Sequence, residues 1–206
     1  MRAGARGVGL AAVLVLGLGA CSDEGTSITE QMRQGDQKGY VAGDGTLEQL
    51  APEERSDPVT LAGTTLEDEE WSLEQQRGEV VVVNVWGSWC GPCVAEVPEL
   101  VEVETAFREA GEPVQFIGVN SRDTVPNALA FEEKYDIPYP SLQDDGGRTR
   151  AQLGSMAVAT PTTLVLDGEG RLAARVSGEV DASTLTGMVE DVLGDGTVAD
   201  GGGAGG

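Results

Sequence analysis

The sequence predicts an α/β sandwich, with a mixed central sheet flanked by helices. Three observations predict it. The run at 80–85 is apolar except for Asn84, as in a strand buried on both faces, and it leads into a helical pattern. A second apolar run at 114–119 follows that helix. Near the C-terminal end, Asp167-Gly168-Glu169-Gly170 marks a hairpin turn between two further strands, and a last helix follows.

Taken in order, residues 1–20 begin with Arg2 and Arg6, continue with an apolar stretch at 8–18 and end in small residues. That stretch is too short to span a bilayer and matches a secretory signal. Leu18-Gly19-Ala20-Cys21 resembles the bacterial lipobox. The resemblance implies cleavage before Cys21 and diacylglyceryl attachment to its sulfur, and two acyl chains hold a protein at a membrane far better than one. An ordinary signal followed by a chance Cys is the alternative. Residues 21–57 are polar, acidic and poor in large apolar side chains, which predicts a lipidated flexible tether with at most a short helix around 46–50. As a random coil the 36 residues after Cys21 span about 30 Å. Such a tether raises the effective concentration of a domain for a membrane partner.

The folded domain is expected over 58–194, about 140 residues, enough for a core without disulfide staples. Segments 59–61 and 70–73 read as short strands joined by a turn. A helix is expected at 93–110 with Gly111 as its stop, a second at 125–135 and a short one at 148–153. Segment 139–142 reads as extended, 162–166 and 171–176 as the strands of the hairpin, and Asp181 as the cap of a helix running to 193. Pro98 falls inside a predicted helix and should kink it. Residues 195–206 read as a Gly-rich disordered tail.

The composition excludes several chemistries. The chain has 13 basic and 35 acidic residues, a net charge of −22, and −24 once Arg2 and Arg6 are removed with the targeting peptide. Such a surface repels phosphate backbones, so no nucleic-acid partner is expected. Histidine is absent, which removes Ser–His and Cys–His catalysis and His-ligated metals. The clusters Asp68-Glu69-Glu70, Glu132-Glu133 and Asp144-Asp145 read as solvated faces, without the spacing of a calcium loop.

With Cys21 assigned to lipid, the remaining cysteines form one pair, Cys90 and Cys93, too close in sequence to staple a fold. They sit where a buried strand passes through Trp86-Gly87-Ser88-Trp89 into a helix. Free N–H groups and the dipole at a helix start stabilise an anion, so the Cys90 thiol should ionise readily. Cys93 lies one turn on and can reach back, while Gly91 and Pro92 suit the tight first turn. The chemistry this suggests is thiol–disulfide exchange with a partner protein, needing no cofactor beyond the pair itself. A half zinc site is the competing reading of the pair, but no Cys or His remains to complete it.

Trp89-Cys90-Gly91-Pro92-Cys93 resembles the thioredoxin active site. With Asn84, Glu96 and Pro98-Glu99-Leu100, the wider segment is similar to the TlpA/ResA family of membrane-tethered thioredoxin-like proteins, over about 58–193. The resemblance implies a thioredoxin-like fold with an N-terminal strand pair and a helix–strand insertion between Arg122 and Asp145. It implies a cis peptide bond at Pro161, facing the cysteines and presenting Thr160 to a substrate chain, with Trp89, Gly91 and Pro92 also at the substrate surface. It also implies a proton-handling role for Glu96, which shares a helix side with Cys93. An exposed first-turn Glu is the alternative. Asn84 stands where classical thioredoxins have a buried Asp, and it cannot take a proton. The expected activity is a reductase at the outer face of the cytoplasmic membrane, with apocytochrome c as substrate and a membrane dithiol carrier as electron donor. Two rivals stay open: an oxidase of exported proteins, and a non-enzymatic binding module, which an intact Cys pair disfavours. A thiol peroxidase would need peroxide-activating residues that the sequence does not display.

Overall fold

A computed structural model describes residues 43–196. The targeting segment, Cys21, the first part of the acidic segment and residues 197–206 lie outside the described residues. One sheet of six strands runs in the order β1-β8-β7-β4-β5-β6. Its strands are β1 (Thr46–Gln49), β4 (Val80–Trp86), β5 (Val114–Ser121), β6 (Ser141–Asp144), β7 (Thr162–Leu166) and β8 (Leu172–Ser177). The strands β2 (Ala62–Thr64) and β3 (Glu70–Ser72) form a separate antiparallel hairpin. Among the described residues four α-helices accompany them: α1 (Gly91–Ala110), α2 (Val125–Tyr135), α3 (Arg148–Ala151) and α4 (Ala182–Gly194).

β4 lies at the centre, parallel to β5 and antiparallel to β7. Successive side chains on a strand point to opposite faces. Val80 and Val82 accordingly join Leu100, Phe107, Leu185 and Val189 in one core layer against α1 and α4. Val81, Val83 and Val85 join Ile117, Leu153 and Leu164 in the other, closed by Leu61 and Leu73. This double burial explains the unbroken apolar run. Asn84 has the same parity as Val80 and Val82, so it faces α1.

The helix ends follow from local chemistry. Gly111 adopts φ 71° and returns its N–H to Arg108, which stops α1. The Asp181 side chain accepts the Thr184 N–H at 2.8 Å and starts α4.

The tether expected over 21–57 ends early. Thr46–Gln49 is a strand, not a short helix, and pairs antiparallel with β8 from Thr46 opposite Ser177 to Gln49 opposite Ala174. The strand is mostly exposed, so no buried face marks it in the sequence; backbone pairing with the β8 edge holds it. Beyond it, half-buried Arg55 pairs with buried Asp167, at 3.1 Å, and also with Asp195. The folded unit thus includes residues 46–57. Smaller shifts occur at β2, which begins at Ala62 although Val59 and Leu61 are buried ahead of it, and at β6, which begins at Ser141.

Arg55→Ala should destabilise the domain by about 3 kcal/mol, because it strips a partner from a buried carboxylate. Asp167 keeps Arg171 at 2.9 Å, which limits the loss. Urea unfolding measures it, and an unchanged midpoint would show that 46–57 does not belong to the cooperative unit.

Candidate active site

The site lies at one end of the sheet. Trp86, the last residue of β4, is opposite Asn120 of β5, and Val85 is opposite Thr162, the first residue of β7. The turn into α1, the chain after β5 and the chain before β7 therefore converge on the same end, as the carboxyl ends of parallel strands commonly do at binding sites.

Cys90 is the residue preceding α1, and Cys90 and Cys93 are joined as a disulfide with a Cα–Cα distance of 5.3 Å. The Cys93 N–H donates to Cys90 Sγ at 3.2 Å. Cys93 is wholly inaccessible and Cys90 is 2 % exposed, beside exposed Gly91 and half-buried Pro92 and Trp89. An attacking partner sulfur therefore reaches Cys90 before Cys93. Pro92 occupies the first turn of α1, where a missing N–H costs no helix bond.

The Thr160–Pro161 bond is cis, and both residues are buried. Pro161 O accepts the Gly178 N–H at 3.0 Å, which ties this segment to the end of β8. Trp89 donates its Nε1–H to Ser121 O at 3.0 Å. Its ring lies so close to Gly87 that a Cβ there would stand 2.5 Å from Nε1. Gly87→Ala should therefore displace the indole and shift the Trp fluorescence; an unchanged spectrum would contradict this packing.

Glu96 is buried at 2 % exposure, on the α1 face that meets β4. Asn84 Nδ2 donates to Glu96 Oε1 at 2.9 Å and to Thr163 Oγ1 at 3.2 Å. Oε2 has no hydrogen-bond partner, and the Val180 backbone adds a pull on the carboxyl that favours its charged form. Burial raises the Glu96 carboxyl from 4.5 to about 8, against the pull of Asn84 and Val180 and with some help from Glu179. Two elements thus share this buried spot: Asn84 of β4 supplies the hydrogen bond and Glu96 of α1 the titratable group.

Two acidic clusters depart from the expected solvated faces. Glu133 is exposed, but Glu132 is buried, and burial raises it to about 7 against donation from Ser141. Ser141 Oγ also accepts the Trp86 Nε1–H at 3.0 Å, and Trp86 stacks on Phe131 at 4.9 Å. Asp144 is half-buried and accepts the Ser121 hydroxyl. The sequence reading also passed over Asp123, whose Oδ2 accepts the Ser88 N–H at 2.7 Å beside the cysteine turn. Among the described residues no group of three or more Cys, Asp or Glu is placed to hold a metal ion.

Comparison with known proteins gives this geometry a family. The AhpC/TSA family model matches residues 55–175, more than half of the chain. The chain belongs to the AhpC/TSA family. Within it, the chain is similar to the "Thiol-disulfide oxidoreductase ResA" of Bacillus cereus, 28 % identical over 130 residues, which cover 63 % of this chain and 72 % of that relative. Two solved structures are similar in fold and sequence. A "Secreted Thiol-disulfide Isomerase from Corynebacterium glutamicum" superimposes with a TM-score of 0.68 at 28 % identity, covering 75 % of this chain and 96 % of that one. A "DsbF homologue from Corynebacterium diphtheriae" does so with a TM-score of 0.64 at 31 % identity, covering 74 % and 96 %. The AhpC/TSA assignment and the ResA likeness agree with the thioredoxin-like fold and with the Cys90–Cys93 disulfide: this is a thiol–disulfide oxidoreductase of the ResA type.

Proposed function

We propose that the protein is a reductase of partner-protein disulfides, working outside the cytoplasm and held to the membrane by lipid on Cys21. The observation that carries the exchange chemistry is Cys90 Sγ at the start of α1, taking the Cys93 N–H at 3.2 Å. In the reduced protein the same N–H, with the helix dipole, stabilises a Cys90 thiolate. That thiolate attacks one sulfur of a partner disulfide. A Cys90–partner bond forms, the partner S–S bond breaks, and the released partner thiolate takes a proton. Cys93 then gives up its proton and attacks Cys90 Sγ. The Cys90–Cys93 bond forms, the second partner thiol leaves, and two electrons have passed to the partner. A membrane dithiol carrier restores the pair.

Glu96 is the proposed acceptor of the Cys93 proton. Its carboxyl, raised to about 8 by burial, binds a proton far more strongly than an ordinary carboxylate, which suits its ionised form to take one from a thiol. Trp89, Gly91, Pro92, Thr160 and Pro161 form the proposed surface for the substrate chain. The ResA likeness makes apocytochrome c the proposed substrate. The Corynebacterium glutamicum relative is a secreted protein, which supports a place outside the cytoplasm.

A second reading has an observation of its own. Thiolate stabilisation at a helix start favours the reduced form, which is what makes an oxidase. Equilibrating the protein with glutathione or dithiothreitol mixtures, with Trp fluorescence as readout, separates the two. A potential at or below about −230 mV supports the reductase, and one above about −180 mV overturns it in favour of the oxidase.

A further inference from the structure

Three loops meet at Cys90, and Asp123 joins two of them. Its Oδ2 accepts the Ser88 N–H at 2.7 Å and the Asn120 amide at 3.4 Å, and its Oδ1 accepts the Thr124 N–H at 2.9 Å ahead of α2. A parallel bond one step away, Trp89 Nε1–H to Ser121 O, ties the same two loops. The turn from Gly87 to Cys90 is thereby clamped to the end of β5 and the chain after it at two successive residues, Ser88 and Trp89. Ser88 is two residues before Cys90, and two residues of chain span at most about 7 Å. The Asp123 carboxylate therefore lies within about 10 Å of the Cys90 backbone, close enough for charge to matter in a partly buried site.

We infer that Asp123 is a positioning residue for Cys90: it fixes the turn that carries the thiol, withholds the Ser88 N–H from the thiolate, and sets a negative charge that keeps the pair more reducing. This rests on the proposed role of Cys90 as the attacking thiol. Burial opposes ionisation of Asp123, but donors from Ser88, Thr124 and Asn120 outweigh it and hold the carboxyl below its ordinary value. The carboxylate is therefore charged at any pH where Cys90 is active. A thiolate near a fixed anion is disfavoured, so Asp123 should raise the Cys90 pKa and lower the reduction potential. The other titratable groups near this end of the sheet are Glu96 on α1, Glu132 on α2 beside Ser141, Arg122 beside Asp123, and Asp144 with Arg150 beyond Ser121. A substitution at Asp123 leaves all of these in place. The alternative is that Asp123 only starts α2, which would affect stability and leave the thiol unchanged.

Three variants of the full chain test it: Asp123→Asn, which removes the charge and keeps an acceptor; Asp123→Ala, which removes both; and Asp123→Glu, which keeps the charge. The readouts are the Cys90 pKa, from the pH dependence of alkylation, and the equilibrium with glutathione. Asp123→Asn should lower the Cys90 pKa by between about 0.3 and 1 unit. The equilibrium should move about twofold to tenfold toward the dithiol, or about 9 to 30 mV at 29.6 mV per tenfold. Asp123→Ala should shift it at least as far, and Asp123→Glu should stay near wild type. Wild-type values in a folded Asp123→Asn protein would overturn the inference. If that variant does not fold, Asp123→Ser, with a hydroxyl for the Thr124 N–H, takes its place under the same criterion. Absence of glutathione exchange in the wild-type protein would instead defeat the proposed function, so the two failures are distinguishable.

Discussion

Cys90→Ser should leave a folded protein whose turnover of a protein disulfide falls by roughly 10³-fold or more. The residue is the only sulfur at the start of α1 with any exposure, and a hydroxyl there is neither ionised nor able to form a mixed disulfide. Cys93 cannot take over, because it is wholly inaccessible. Cys93→Ser should behave differently. Cys90 then still attacks once, but nothing releases the partner, so a mixed disulfide accumulates. Single-turnover kinetics with a model protein disulfide separates the two variants. Equal residual turnover in both would mean that the cysteines do not have distinct roles.

Glu96→Gln should have the second largest effect, and it should depend on pH. Gln cannot take a proton, so the step in which Cys93 attacks Cys90 should slow by about 10²-fold, while the first attack by Cys90 stays near the wild-type rate. The same variant has a signature in stability. The Glu96 carboxyl is raised to about 8 in the folded protein, so the native state holds this proton more tightly than the unfolded chain. Its contribution to stability is fully present below the unfolded value of about 4.5 and is lost as pH rises through about 8. Glu132, raised to about 7, acts in the same direction. The oxidised wild-type protein should therefore lose on the order of a few kcal/mol between pH 5 and pH 9. Glu96→Gln should remove most of that loss at the alkaline end. Denaturation midpoints across the pH range measure it, and parallel curves for the two proteins would show that Glu96 is solvated.

The sequence pattern carried most of the fold because most elements bury a face. The apolar runs of β4 and β5, the αL glycine after α1 and the Asp181 cap are local signals, and each appears in the structure. β1 has no such signal. It is a polar edge strand, and what makes it a strand is β8, more than a hundred residues away in the chain. The Arg55–Asp167 pair is equally non-local. At the site, the cysteine motif was legible because spacing and flanking residues are contiguous. Glu96 was legible as a residue, but its burial under Asn84 depends on strand parity and helix packing together. Glu132 could have been found: it stands at helical spacing from Ala128, both on the buried face of α2 with Phe131, so the pair Glu132-Glu133 straddles the boundary of that face. Asp123 could not, since its meaning lies in Ser88, from a separate loop.

The central claim is that Cys90 makes the bond to the partner and Cys93 breaks it. Trapping tests it most directly. The Cys93→Ser protein is mixed with a disulfide-containing polypeptide, alkylated and mapped by mass spectrometry. The account predicts a stable adduct on Cys90, resolved by added dithiothreitol and absent from Cys90→Ser. An adduct on Cys21 alone, or none while wild type turns over the same substrate, would contradict it.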